Sequence, residues 1–217
     1  MAPDSAENRT AGILWMLATM FCFISLDAIM KHLLETYSLV QVTWGRFFFA
    51  TIVALAVCAP RLRTLAISRS PGLQLTRSVL LMSTTGVFNA GIRTTPLATA
   101  TTIMFLSPIL VTLLSIPMLG EKVGLRRWIG IMLGFAGACI VVRPWQEGLG
   151  GISAGVMLLL VAALLNANYQ IITRKVRGDE PLTSLLYTAV AGAVVTIFLV
   201  PWFWSWPAPL DWLLLAG

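Results

Sequence analysis

The sequence predicts an all-α, polytopic membrane protein, an inverted repeat of five helices whose second repeat is incomplete. Three observations carry this: composition, the length of the apolar runs, and self-similarity at a fixed offset. Of the 217 residues, 58% are hydrophobic and 11% charged, where soluble domains carry about a quarter charged residues. Apolar runs of about twenty residues, long enough to cross a bilayer core, recur along the chain. Barrel strands need only about ten, so runs of this length point to helices that satisfy their own backbones in hydrocarbon.

Seven segments follow in order: 11–31, 39–59, 76–92, 96–118, 125–142, 153–173 and 182–203, with an eighth starting near Asp211. The first follows "MAPDSAENRT", which has no basic region, and no small-residue cleavage site precedes the second segment, so it reads as a span rather than a signal peptide. The fourth contains Pro108, expected to kink it, because neighbouring helices can satisfy the freed carbonyl. The fifth contains "GIMLGFAG", whose Gly130, Gly134 and Gly137 allow close approach of helix backbones. Intramolecular packing is the simpler use of that seam, and a homodimer through it stays open. Trp202, Trp204, Trp206 and Trp212 read as an interfacial belt. Cys22, Cys58 and Cys139 stand alone in apolar runs without metal spacing, so packing is their expected role.

The net charge of +6, from 15 Lys+Arg against 9 Asp+Glu, is a topology signal. Arg61, Arg63, Arg69 and Arg77 flank the second connection, Lys122, Arg126 and Arg127 the fourth, and Arg174, Lys175 and Arg177 the sixth. The odd connections have only Lys31, Arg93 and Arg143. The positive-inside rule then puts the even connections and the N-terminus in the cytoplasm, which fits an inner-membrane protein. With the charge so accounted for, nucleic acid drops out as a partner.

Sliding the chain by 143 residues lays Gly12 on Gly155, Lys31 on Arg174, Ser38 on Pro181, Trp44 on Tyr187 and Ala50 on Ala193 without a gap. The first two segments thus correspond to the sixth and seventh, giving a first repeat over 1–144 and the start of a second over 145–217. Five helices per repeat is odd, so the second copy is inverted. This is an architecture of secondary transporters, which hold substrate near the midplane between the halves.

The stretch "GIRTTPLATATTIMFLSPILVTLLSIPMLGEKVGLRRWIGIMLGFAGACIVVRP" resembles the end of the first repeat in the EamA family of the drug/metabolite transporter superfamily. The matching features are Pro96 and Ala98, Pro108, "LGE" at 119–121, Trp128 and the glycines of the fifth segment. "ALLNANYQIITRKV" at 163–176 is similar to the family's opening of repeat two. The resemblance implies ten helices, of which this chain would lack the last two to three. It also implies metabolite transport, with a first hairpin most like members assigned to riboflavin or S-adenosylmethionine uptake.

Candidate site residues follow from charges inside apolar runs, which by default mark substrate or proton pathways. Asp27 and Arg46 lie at similar depth either side of the first turn, and Lys31 is one turn beyond Asp27 on the same face. One carboxylate with two cations leaves a spare positive charge suited to a carboxylate or phosphate on a substrate. A buried ion pair that pins the hairpin is the other reading. The stripe Phe23–Asp27–Lys31 maps onto Asn166–Gln170–Arg174, each along one helix face. The amides read either as part of the cavity or as interhelical glue, with Asn168 on another face assigned to glue. Asn89 in the third segment falls near Asp27 in depth. Asp27 is the acid that proton coupling would use. An enzyme would need clustered His, Asp or Ser, and the one histidine, His32, adjoins a loop. "LGEKVG" lacks Walker spacing, so neither ATP nor any other cofactor is implied. A secondary transporter of a small organic metabolite is the reading, with a non-transporting membrane scaffold or assembly subunit as the alternative.

Overall fold

The computed structural model describes residues 6–121, 123–142, 153–176 and 178–216, and among them every regular element is helical. In chain order these are α1 (Ala6–Thr36), α2 (Leu39–Cys58), a single turn α3 (Leu62–Leu65), α4 (Pro71–Thr94), α5 (Leu97–Met104), α6 (Ser107–Leu119), α7 (Leu125–Val142), α8 (Ala154–Lys175), α9 (Pro181–Ile197) and α10 (Pro209–Ala216). The chain is a multi-pass helical membrane protein. Four stretches are long and apolar enough to cross a bilayer by themselves: Gly12–Thr36, Leu39–Leu65, Leu97–Leu119 and Ala154–Lys175. The cations Lys122, Arg143 and Arg177, and the boundary drawn at 144/145, lie outside the described residues.

Local chemistry explains the ends. Ser38 caps α2, its hydroxyl accepting from the Gln41 amide at 3.2 Å, and Ser153 caps α8 through the Val156 amide at 3.3 Å. Pro71 and Pro181 open α4 and α9, where a missing N–H costs nothing. Gly120, at φ 67°, closes α6 in the left-handed conformation that a Cβ would disfavour.

Two segments differ from expectation. The stretch expected as one kinked helix over 96–118 is two helices broken at Phe105–Leu106, and Pro108 sits in the first turn of α6. A proline tolerated at a helix start is disruptive inside one, so the break falls just before it. The seventh segment ends at Ile197 rather than 203, giving way to a short 3₁₀ turn at Val200–Trp202 that contains Pro201.

The core lies where both halves of the chain meet. Met30, Leu33 and Leu34 of α1, Val42 of α2, Ile92 of α4, Leu159 of α8 and Leu215 of α10 form one buried cluster. α4 packs most extensively on α8 and also on α9, and α2 packs on α9. α4 and α8 approach each other closely through their backbones. A Cβ on Gly91 would stand 3.2 Å from the Gly155 carbonyl and 2.7 Å from Leu159 Cγ. Gly130, Gly134 and Gly137 of α7, expected as a packing seam, instead face open space, with nothing within 4 Å of an added Cβ. α1 is buried only toward its C-terminal end. Trp15 and Phe21, at 75% and 73% exposure, point outward.

Candidate functional site

Asp27 lies nine residues before the end of α1 and Arg46 seven residues after the start of α2, so the pair shares a level of the hairpin. Each feels the other's charge. They are not in contact: among the described residues no ion pair within 4.0 Å and no hydrogen bond involves either. The structure therefore does not build the pinned salt bridge that was one reading of these residues. Arg46, half-buried, borders a partly open cavity of about 280 Å³ whose other walls are Leu26, Met30, Phe49, Ala50, Val53 and Ala54, with Leu185 and Leu215. With no hydrogen bond among the described residues, the Arg46 guanidinium can turn its five donors to a ligand in an otherwise apolar wall. Such a cavity orients a molecule through one polar anchor.

The other candidates are placed elsewhere. Lys31 donates to the Thr95 carbonyl at 2.9 Å, closing the C-terminal end of α4, where a cation complements the exposed carbonyls. Asn89 is 1% exposed. Its amide donates to Thr43 Oγ1 at 3.4 Å, and its Oδ1 has no partner among the described residues. Asn166 donates to Ser107 Oγ at 3.2 Å, joining α8 to α6 as interhelical glue would. Asn168 bonds the Leu164 carbonyl of its own helix at 2.9 Å. Gln170 is half-buried with no hydrogen bond among the described residues. Arg174 pairs with Glu121 at 3.2 Å, and Glu121 also meets Arg127 at 3.6 Å. These charges tie the α6–α7 connection to the end of α8. Phe23 is 54% exposed, so the stripe through Asp27 does not extend that far into the interior.

A residue that charge counting placed at the flank of the second connection proves internal. Arg77, 8% exposed, sits within α4. Its Nε donates to Thr173 at 2.9 Å, one terminal nitrogen to Thr188 at 2.7 Å and the Ser184 carbonyl at 3.1 Å, and the other to Tyr169 at 2.8 Å. All partners are neutral, and the Tyr169 ring lies 4.9 Å from the guanidinium carbon. The available signal was its position six residues inside a helix that Pro71 opens.

Polar clusters close both ends of the bundle, and in each the first half of the chain meets the second. At one end Ser68 donates to Asp179, the Arg69 amide to the same carboxylate at 3.0 Å, and Gln74 to both Asp179 and Ser184 at 2.9 and 3.0 Å. The Ser68 hydroxyl and then Gln74 hold the Asp179 carboxyl below its ordinary pKa. At the other end Tyr37 donates to Asp211 at 2.6 Å, which raises the phenol's pKa. Gln41 donates to the Ser205 carbonyl at 2.7 Å and accepts from its amide and hydroxyl at 3.0 Å.

The sequence profile of the EamA-like transporter family matches residues 10–143. The S-adenosylmethionine uptake transporter of Rickettsia felis is 28% identical over 214 residues, covering 98% of this chain and 71% of that protein. The one from Rickettsia bellii is 29% identical over the same length, with 98% and 72% covered. The riboflavin transporter of Vibrio cholerae is 28% identical over 214 residues, with 95% and 70% covered. No solved structure matches the chain.

Proposed function

This chain belongs to the EamA-like transporter family, and from that premise we propose that it moves a zwitterionic metabolite of the S-adenosylmethionine type by alternating access. That it is a small-molecule transporter and not an enzyme follows from the family and its named relatives. The finer reading rests on one observation, the unbonded Arg46 at the wall of an apolar cavity with Asp27 at the same level. An α-amino acid head group presents a carboxylate and an ammonium side by side. The planar fork of Arg46 takes the carboxylate, and Asp27 balances the cationic part. Riboflavin has no carboxylate to offer. The cavity, at about 280 Å³, is at the lower end for a bound metabolite and suits a head group better than a whole nucleoside. Asp27 also serves as the coupling carboxylate, taking a proton when the cationic group leaves. We place the protein in the cell membrane with its N-terminus in the cytoplasm, on the strength of the basic even-numbered connections.

Uptake of labelled S-adenosylmethionine into proteoliposomes, with riboflavin as competitor, tests this. We expect saturable uptake that methionine-type head groups inhibit and riboflavin does not, lost in Arg46→Gln and in Arg46→Lys. Asp27→Asn should exchange substrate but fail to accumulate it against a gradient. Riboflavin uptake without S-adenosylmethionine uptake would overturn the substrate. Uptake of neither by folded protein would favour a scaffold.

A further inference from the structure

The two polar clusters at the ends of the bundle are related by the internal repeat. With the offset of 143 residues, Ser68 falls on Asp211 and Gln41 on Ser184, while Tyr37 falls on Glu180, one residue from Asp179. Two of these positions thus recur in both clusters and the third is displaced by one residue, with the chemistry exchanged. At one end the third-helix position gives the carboxylate, Asp211, and the first turn the hydroxyl, Tyr37. At the other the equivalent position, in the connection just before α4, gives the hydroxyl, Ser68, and the corresponding turn the carboxylate, Asp179. Gln41 reaches across to Ser205, and its counterpart Ser184 receives Gln74, which is itself 0% exposed. The helix contacts obey the same exchange. The packing of α4 on α8 recurs as α10 on α1, that of α4 on α9 as α10 on α2, and α2 meets its own counterpart, α9.

We propose that Tyr37–Asp211 and Ser68–Asp179 are the two gates of the transport cycle, repeat-related latches that close opposite faces of the membrane and open in alternation. In an inverted repeat, each half takes the other's conformation when access switches. Each latch is a small set of hydrogen bonds, three donors on Asp179 and Tyr37 on Asp211, so neither face is closed permanently. Each hydroxyl–carboxylate bond is only partly buried, at the end of the bundle, so water replaces its partners on opening and the net cost is small. Arg77, bonded to Ser184 and Thr188 just beneath the Asp179 latch, keeps the α9 end in register with α4 when that latch opens.

The proposal rests on the alternating-access reading, but its test needs no substrate. With Cys22, Cys58 and Cys139 replaced by serine, a cysteine at Ala50 in the cavity wall reports access in oriented vesicles through its modification by an impermeant thiol reagent. Ser68→Ala with Asp179→Asn should raise modification from the face of that latch several-fold and lower it from the opposite face. Tyr37→Phe with Asp211→Asn should do the reverse, and all four together should return both rates toward those of the parent. Rates that rise from both faces, or do not change, would overturn the latches while leaving the substrate reading to its own uptake assay.

Discussion

Arg77 holds its charge in the interior with hydroxyls and a carbonyl rather than a carboxylate. Hydrogen bonds to a charged group contribute about 1.5–3 kcal/mol each and do not add fully, so Arg77→Ala should lower stability by roughly 3 kcal/mol. Arg77→Lys should recover less than half of that, because three donors on one nitrogen cannot reach four partners spread over α8 and α9. Thermal unfolding in detergent reads both, and an unshifted midpoint in the alanine variant would show that these bonds carry no net stability. The Asp179 carboxyl, held below its ordinary pKa by Ser68 first and Gln74 second, gives a signed pH dependence. A depressed folded-state value means its contribution is complete above the unfolded value near 4, an ordinary aspartate, and is lost as pH falls below it. Stability of the native protein should therefore fall on acidification through pH 4 more steeply than that of Asp179→Asn. Identical slopes would remove Asp179 from the account. The sequence made Asp27 and Arg46 legible as charges out of place, but Arg77 was hidden by its neighbours Arg61, Arg63 and Arg69, which share its charge and lie outside the helix. Composition marks a basic region and does not say which of its members turns inward.

The helix pairings explain why one glycine pattern mattered and another did not. Gly91 and Gly155 let α4 and α8 touch through their backbones. They lie in different helices, so no spacing rule joins them. Gly130, Gly134 and Gly137 have the spacing but no neighbour within 4 Å. Gly155→Leu should destabilise by about 1–3 kcal/mol, the usual cost of overpacking a filled interior, and Gly134→Leu should leave the unfolding midpoint of this chain nearly unchanged. The opposite order would put the seam on α7. The positions of the helices themselves were legible to within a few residues, because apolar length is a direct consequence of bilayer thickness. The break at Phe105–Leu106 was not, since an apolar run reads the same whether or not its helix is continuous.

For the whole molecule, orientation is open to a direct test. Single cysteines at the exposed Arg63 and Arg126 should resist an impermeant reagent applied outside intact cells and react once the membrane is opened. Reaction of both in intact cells would invert the topology. The offset of 143 rests in the sequence on a few aligned residues, and the proposed relation between the two latches draws on the contacts as well. Two hydroxyl–carboxylate pairs with their partners exchanged share no residue type at equivalent positions, and no identity score detects them.

The long first helix, attached near its C-terminal end through Lys31 and the core around Met30 and bare on the side of Trp15 and Phe21, also ties the protein to its solvent. Gly12–Thr36 has 25 residues, about 37 Å at 1.5 Å each, against a hydrocarbon thickness of about 30 Å. The excess can be taken up by tilt, within what the packing around Met30 and the Lys31 anchor allow, and bilayer thickness then biases that tilt. Because Asp27 and Leu26 ride on this helix, its lean moves one wall of the cavity relative to Arg46. Reconstituted in bilayers of increasing acyl-chain length, the transporter should show a rate optimum in thickness that Lys31→Met, which frees the upper end as well, flattens.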